Sequence, residues 1–340
     1  MNANKIKLTP LLDTLYLGKL EDAVYFSPKY SEYISNSRLG LLKQQGAKAF
    51  IDGLAAQKGF NPSFFLGDLV HSLTLQSDLF ELAPDLNRPT AKMGGMADYL
   101  YKSFIKNEIV PNNDIYKASE EVNYYLGKMN EERCDLVRGS CIDYWQARKQ
   151  FESSYTTNKT IKYADIKTME TTLGCVNALH NNTMITEILH PKDSLDQDVI
   201  SENEQAILLD VQVDIAGEEP FIVHLKAKLD NYTINTYDNI ITINDVKTSI
   251  KDTRLFNEVI DTYSYYRELS WYAFLLNLCC ERYYKMHNPI IKGNFLVVST
   301  IAPYYTRVCP MDVNLFRKGI KEYKDLLKQA CYYMKYGYDE

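Results

Sequence analysis

The chain has 340 residues, with 38 Lys and Arg against 44 Asp and Glu and a formal charge of −6 at pH 7. Apolar residues make up 46% and charged residues 24%, an ordinary globular composition that excludes a disordered chain. The acidic balance argues against non-specific coating of nucleic acid, but it leaves room for one basic groove, because net charge carries no information about distribution.

Residues 1–26 read as an N-terminal arm, with neither the apolar core nor the cleavage site of a signal peptide. Residues 27–195 read as mainly helical, with breaks at Asn61-Pro62, at Pro84–Pro89 and at Pro111-Asn112-Asn113. Ser35 to Leu54 is predicted as a helix with Ser35 at its N-cap. Leu66 to Leu75 is a second, short helix, with Leu66, Val70 and Leu73 on one face and His71 beside it. After residue 200 the apolar period changes from about 3.6 to 2. Ala206 to Asp214 reads as a strand. In Phe221 to Asp230, Phe221, Val223, Leu225, Ala227 and Leu229 face one way; His224, Lys226, Lys228 and Asp230 face the other. Ile240 to Lys247 is a third strand, Thr253 to about His287 a long helix, Gly293 to Thr300 a buried strand and Tyr305 to Val308 a weaker one. Asn314 to Lys335 is an amphipathic helix with Leu315, Tyr323, Leu327, Ala330 and Met334 as its inner stripe. The expectation is an α/β (α+β) protein: a central mixed sheet over residues 196–340, flanked by helices and preceded by a helical region.

The most apolar run, Ser270 to Cys280, has eleven residues, too short to cross a bilayer and long enough for a buried helix. Seven cysteines without any Cys-x-x-Cys indicate neither a zinc knuckle nor a disulfide framework, so a reduced, cytoplasmic protein without membrane attachment is expected.

Two residues carry the chemistry furthest. Asp245 and Lys247 leave the same face of the third strand, roughly 7 Å apart along it. Asp230 closes the preceding strand, and the eight residues from Asn231 to Asp238 can return the chain antiparallel, bringing Asp230 and Asp245 together at one sheet edge. Two convergent carboxylates suit Mg²⁺ or Mn²⁺, and a lysine beside them can orient a water or neutralise phosphodiester charge. The plain alternative is a cross-strand ion pair on a solvated face.

With these residues in place, the sequence resembles the nuclease core of the exodeoxyribonuclease VIII (RecE-type) exonucleases of the PD-(D/E)xK superfamily. The resemblance rests on KLD, a loop, NDVKTS, and the helix containing YSYYRELSWYAF. Upstream, ISNSRLGLLKQQGAKAF is similar to the family's serine-capped opening segment. FFLGDLVHSLTLQSDLFELAP resembles its helix with G-x-x-x-H, and LAPDLNRPTAKMGG the stretch after it. Residues 110–195 match only in helical character. The resemblance implies that His71, Asp230 and Asp245 ligate Mg²⁺ (Mn²⁺ substituting), with the Val246 carbonyl as fourth ligand and Lys247 activating water. It makes Glu204 a further catalytic candidate and residues 196–340 the nuclease core.

Lys228, where the family has arginine, together with Lys251, Arg254 and Arg267, is expected to contact DNA. The family's glutamine and, four residues on, its tyrosine fall at Trp271 and Leu275. Cys279, Cys280, Cys309 and Cys331 lack the spacing for an iron–sulfur cluster. The implied activity is a metal-dependent exonuclease acting on duplex DNA ends to expose single strands for recombination. It would act as a homo-oligomer, with a single-strand annealing or single-strand-binding partner. The alternatives are an endonuclease or end-trimming nuclease, or an inactive nuclease fold serving as a DNA-binding scaffold.

Overall fold

The structure, a computed structural model, describes residues 6–52, 60–125, 127–191 and 198–338. In chain order its strands are β1 (Ile6–Lys19), β2 (Phe80–Leu82), β3 (Thr160–Lys162), β4 (Val199–Ile215), β5 (Phe221–Asn235), β6 (Ile240–Ser249), β7 (Ile290–Ser299) and β8 (Thr306–Pro310). Its helices are α1 (Asp22–Tyr25), α2 (Asn36–Asp52), α3 (Pro62–Leu75), α4 (Ala91–Asn107), α5 (Asn112–Glu121), α6 (Glu131–Ser154), α7 (Ile166–Asn181), α8 (Thr183–Leu189), α9 (Phe256–Thr262), α10 (Tyr265–Tyr284) and α11 (Val313–Tyr336). They divide into two compact units. The first comprises Met1–Ala56, Asn181–Val298 and Tyr305–Glu340; the second comprises Gln57–His180 and Ser299–Tyr304.

The first unit is built on a six-stranded mixed sheet in the order β1-β4-β5-β6-β7-β8. The expected three-strand meander is β4-β5-β6, each pair antiparallel. Alternation explains it. Ile207, Leu209, Val211 and Val213 are buried opposite Ala227, Leu225, Val223 and Phe221, so each strand gives one face to the core. β6 and β7 run parallel: the Ile290 N–H donates to the Asn239 carbonyl, and four residues on in β7 the Asn294 amide donates to Asn244. Helices α9 and α10 make the crossover that a parallel pair needs.

Several expectations are corrected. The supposed arm is largely β1, an edge strand paired with β4. Its alternation is concealed by a register shift between Leu11 and Tyr16 and by Pro10, which an edge strand tolerates because one side needs no N–H donor. The units also divide the chain differently from boundaries at 26 and 195, and residue 195 lies outside the described residues, as do residues 53–54 of the first predicted helix. That helix is α2, capped by Ser35 through the Arg38 N–H and kinked at Gly46, whose φ of +84° favours glycine. The long helix is two: α9 ends before Ser264, whose φ of +56° breaks the spiral, and α10 begins one residue later. Within α10, Leu269, Trp271, Leu275, Leu276, Cys279 and Cys280 are fully buried, as the apolar run required.

α11 crosses α10 at Gly319, where a Cβ would collide with the Tyr266 carbonyl and the Ser270 hydroxyl. Of its predicted inner stripe, Tyr323, Leu327 and Ala330 are buried, while Leu315 and Met334 pack partly buried against the same core.

The second unit is mainly helical, with a short parallel β2–β3 pair. Its core gathers Met96, Leu100, Phe104, Val137, Cys141 and Trp145. The Arg148 guanidinium lies 4.0 Å from the Tyr101 ring centre and 3.9 Å from that of Tyr163. His71 sits half-buried on α3, which Asn61 caps and Pro62 starts. All seven cysteines of the chain are free and buried. Among the described residues, no helix is long and apolar enough to cross a membrane.

Candidate active site

β5 changes neighbours halfway along. Its first half carries the isolated parallel bridge from Ile34, and its second half pairs with β6 from Asn235↔Ile240 to Asn231↔Asn244. The next residue on each strand is an acid, Asp230 on β5 and Asp245 on β6. Where the ladder stops, the Val246 N–H donates instead to Asp230 Oδ2 at 2.8 Å. Asp230 is therefore not at a strand end, as expected, but inside β5, and the two acids flank a parting of central strands instead of a sheet edge. The return turn is correspondingly shorter, between Asn235 and Ile240.

Glu204 joins them from β4. It lies between the pairs Asn203↔Asn231 and Gln205↔Leu229, and its φ of +54° is left-handed. Such a conformation costs a non-glycine residue on the order of 1–3 kcal/mol and persists only where its surroundings enforce it. Here it breaks the strand's alternation, so that Glu204, Gln205, Ala206 and Ile207 are buried in succession. Carboxylate oxygens of Glu204 and Asp230 come within 4.8 Å of one another. Lys228, expected to face DNA, instead bridges Glu204 at 2.6 Å and Asp22 at 2.5 Å. Burial opposes its charge, but the two carboxylates outweigh burial and raise its pKa.

Asp245 is 2% exposed, so it does not stand on a solvated face. Lys247 Nζ approaches its Oδ2 to 2.7 Å and reaches Glu268 Oε2 at 3.1 Å. The Tyr265 ring lies 4.8 Å from the ammonium, and the Tyr272 hydroxyl donates to Glu268 Oε1 at 3.2 Å. Tyr265, Glu268 and Tyr272 fall three and four residues apart on α10 and hence on one face. Burial pushes the Asp245 carboxyl up to about 8; Lys247 works against this, and Asp230 and Glu268 add to it. For Lys247, burial alone would lower the pKa, but Asp245, Glu268 and Asp230 more than offset it and hold the amine protonated.

The carboxylates of Asp22, Glu204, Asp230, Asp245 and Glu268 thus surround the ammonium groups of Lys228 and Lys247. Asp245 Oδ2 is buried without an aligned hydrogen-bond donor despite the nearby lysine. Hard oxygen donors in excess, one of them unsatisfied, fit a divalent cation of the Mg²⁺, Mn²⁺ or Ca²⁺ type.

The other expected residues fare unevenly. Lys251 is exposed between β6 and α9. Arg254 is exposed too, but its guanidinium pairs with Asp252 at 2.5 Å. Arg267, also expected to contact DNA, is 4% exposed and donates to Asn36 and to Glu322, at 2.8 and 2.9 Å. With the long helix broken, it lies in the first turn of α10.

Trp271 and Leu275 face the core at 0% exposure, the Trp271 indole N–H donating to the Lys226 carbonyl. The same four-residue spacing is met by Glu268 and Tyr272, and these two face Lys247. The signal was present: both are polar where Trp271 and Leu275 are apolar. Asp22 had no comparable signal.

No family model matches this chain, and no curated protein matches it significantly. Among solved structures, a crystal structure of a "putative exonuclease" from Eubacterium rectale is similar at 10% identity and a TM-score of 0.47, covering 94% of this chain and 88% of that one.

Proposed function

We propose that the chain is a divalent-metal-dependent deoxyribonuclease with a PD-(D/E)xK-type centre, removing nucleotides from duplex DNA ends to expose single strands for recombination. One observation carries the reading: Asp230 and Asp245 emerge where β5 and β6 part, with Lys247 held between Asp245 and Glu268. Asp230 and Asp245 are the first ligands, with Glu204 beside Asp230 and the Val246 carbonyl as a backbone donor. His71 is added on the strength of the G-x-x-x-H resemblance. When bound, Mg²⁺ or Mn²⁺ supplies Lewis acidity at a phosphoryl oxygen and makes a water more acidic.

The protein's own groups do the rest. Lys247, kept charged by its carboxylate neighbours, donates to the attacking water or a non-bridging oxygen and offsets developing negative charge. A protonated amine cannot also accept the water's proton, so its role is electrostatic and orienting. Glu268, oriented by Tyr272, fixes where that ammonium points. A Glu268–Tyr272 pair with the family's four-residue spacing, Glu268 paired with Lys247, speaks against the inactive-scaffold alternative.

Action from ends, a ring-like homo-oligomer and an annealing or single-strand-binding partner rest on the sequence resemblance. End-labelled linear duplex and covalently closed circles should be incubated in parallel with Mg²⁺ and with EDTA. Loss of the linear form alone, only with Mg²⁺, is expected. Equal attack on both forms would point to an endonuclease, and undiminished cleavage in EDTA would refute the metal centre.

A further inference from the structure

Each acid drawn from the sheet has an asparagine beside it in sequence: Asn203 precedes Glu204, Asn231 follows Asp230, and Asn244 precedes Asp245. These asparagines are directly opposite one another, in the pairs Asn203↔Asn231 and Asn231↔Asn244, so their side chains share a face. Their amides form one chain. Asn294 Nδ2 donates to Asn244 Oδ1 at 2.9 Å, Asn244 Nδ2 to Asn231 Oδ1 at 2.7 Å, and Asn231 Nδ2 to Asn203 Oδ1 at 2.8 Å. The chain crosses four adjacent strands, β4, β5, β6 and β7. Asn231 and Asn244 are 0% and 1% exposed.

A buried amide is costly unless each dipole finds a partner, and these dipoles find partners only in one register. A slip of one residue would send every side chain of a strand to the opposite face and take its acid with it. The position of the chain also matters: it bolts β5 to β6 at their last paired residues, one step before the strands part and the acids emerge.

We propose that Asn203, Asn231, Asn244 and Asn294 form a positioning device that fixes the spacing of Glu204, Asp230 and Asp245 for metal binding. The inference rests on reading those acids as metal ligands. The asparagines touch no reacting atom; they set where the ligands stand by holding neighbouring strands in one register.

The test compares wild type with Asn244→Leu, which keeps side-chain size and breaks two links, and with Asn294→Ala, which removes only the outermost link. Ile241→Val, a core change on the same strand, serves as the stability control. Mn²⁺ affinity, read from the paramagnetic resonance of free Mn²⁺, is measured beside the urea midpoint and single-turnover DNA cleavage. Asn244→Leu should bind Mn²⁺ about 10- to 100-fold more weakly and lose rate in proportion, with DNA affinity within about twofold of wild type. Asn294→Ala should shift Mn²⁺ affinity in the same direction by a smaller factor. Ile241→Val should lower the midpoint and leave Mn²⁺ affinity unchanged.

Mn²⁺ affinity in Asn244→Leu equal to that of the control overturns the proposal. If Asn244→Leu does not fold, unchanged affinity in Asn294→Ala overturns it instead. A wild type that binds Mn²⁺ but cleaves no DNA refutes the nuclease reading and leaves the affinities to decide this one. A wild type that binds no Mn²⁺ removes both.

Discussion

Replacing Asp245 by asparagine removes a charge and keeps the shape, so it isolates the electrostatic strain of the metal-free site. The carboxyl is pushed up to about 8 in the fold, by burial first, against about 3.9 in an unfolded chain. Between those values the folded state binds the extra proton, so stability is fully present at low pH and declines as pH rises through this window. The penalty is therefore larger at pH 7.5 than at pH 5, where little of the window has been crossed.

Asp245→Asn never titrates. In EDTA it should therefore be more stable than wild type at pH 7.5, by about 1 kcal/mol or more, and the advantage should shrink toward pH 5. Urea unfolding followed by tryptophan fluorescence at both pH values measures this, Trp271 lying in the core of the same unit. Cleavage by the variant should be abolished, since a proposed metal ligand is lost. A variant no more stable than wild type at pH 7.5, or a difference independent of pH, would refute the reasoning: the carboxylates would then not be in conflict.

Lys247→Ala should lower single-turnover cleavage by on the order of a hundredfold or more with DNA still bound, and Lys247→Arg should not restore it, because the guanidinium is bulkier and planar. A rate above about a tenth of wild type would make the lysine a structural ion pair. Glu268→Gln keeps a partner for Tyr272 but takes one carboxylate from Lys247; kcat should fall by about tenfold with KM unchanged, and a change confined to KM would place Glu268 in substrate binding instead. Arg267→Ala should cost about 2 kcal/mol in a urea titration, because Glu322 keeps Lys43 and Tyr266 as partners, and should leave the salt dependence of DNA binding as it was. A shallower salt slope would return Arg267 to the DNA interface.

The local sequence by itself determined the strands and their order after residue 200, because period-2 apolar alternation reports one buried face regardless of what covers it. It also determined that Asp230, Asp245 and Lys247 belong together, through a meander short enough to bring neighbouring strands side by side. Tertiary structure decided what those residues experience. Periodicity cannot tell where a ladder ends, so the parting of β5 from β6 at Asn231 and Asn244, and with it the burial of Asp245, was not legible. β1 escaped notice because pairing with a distant strand, not its own pattern, makes it a strand.

The left-handed Glu204, the capture of Lys228 by Asp22 and the burial of Arg267 against Glu322 all depend on partners remote in sequence. Only the fold could show that α10 turns Glu268 and Tyr272, and not Trp271 and Leu275, toward Lys247. Both pairs have the same spacing, and a helix's facing is set by what it packs against.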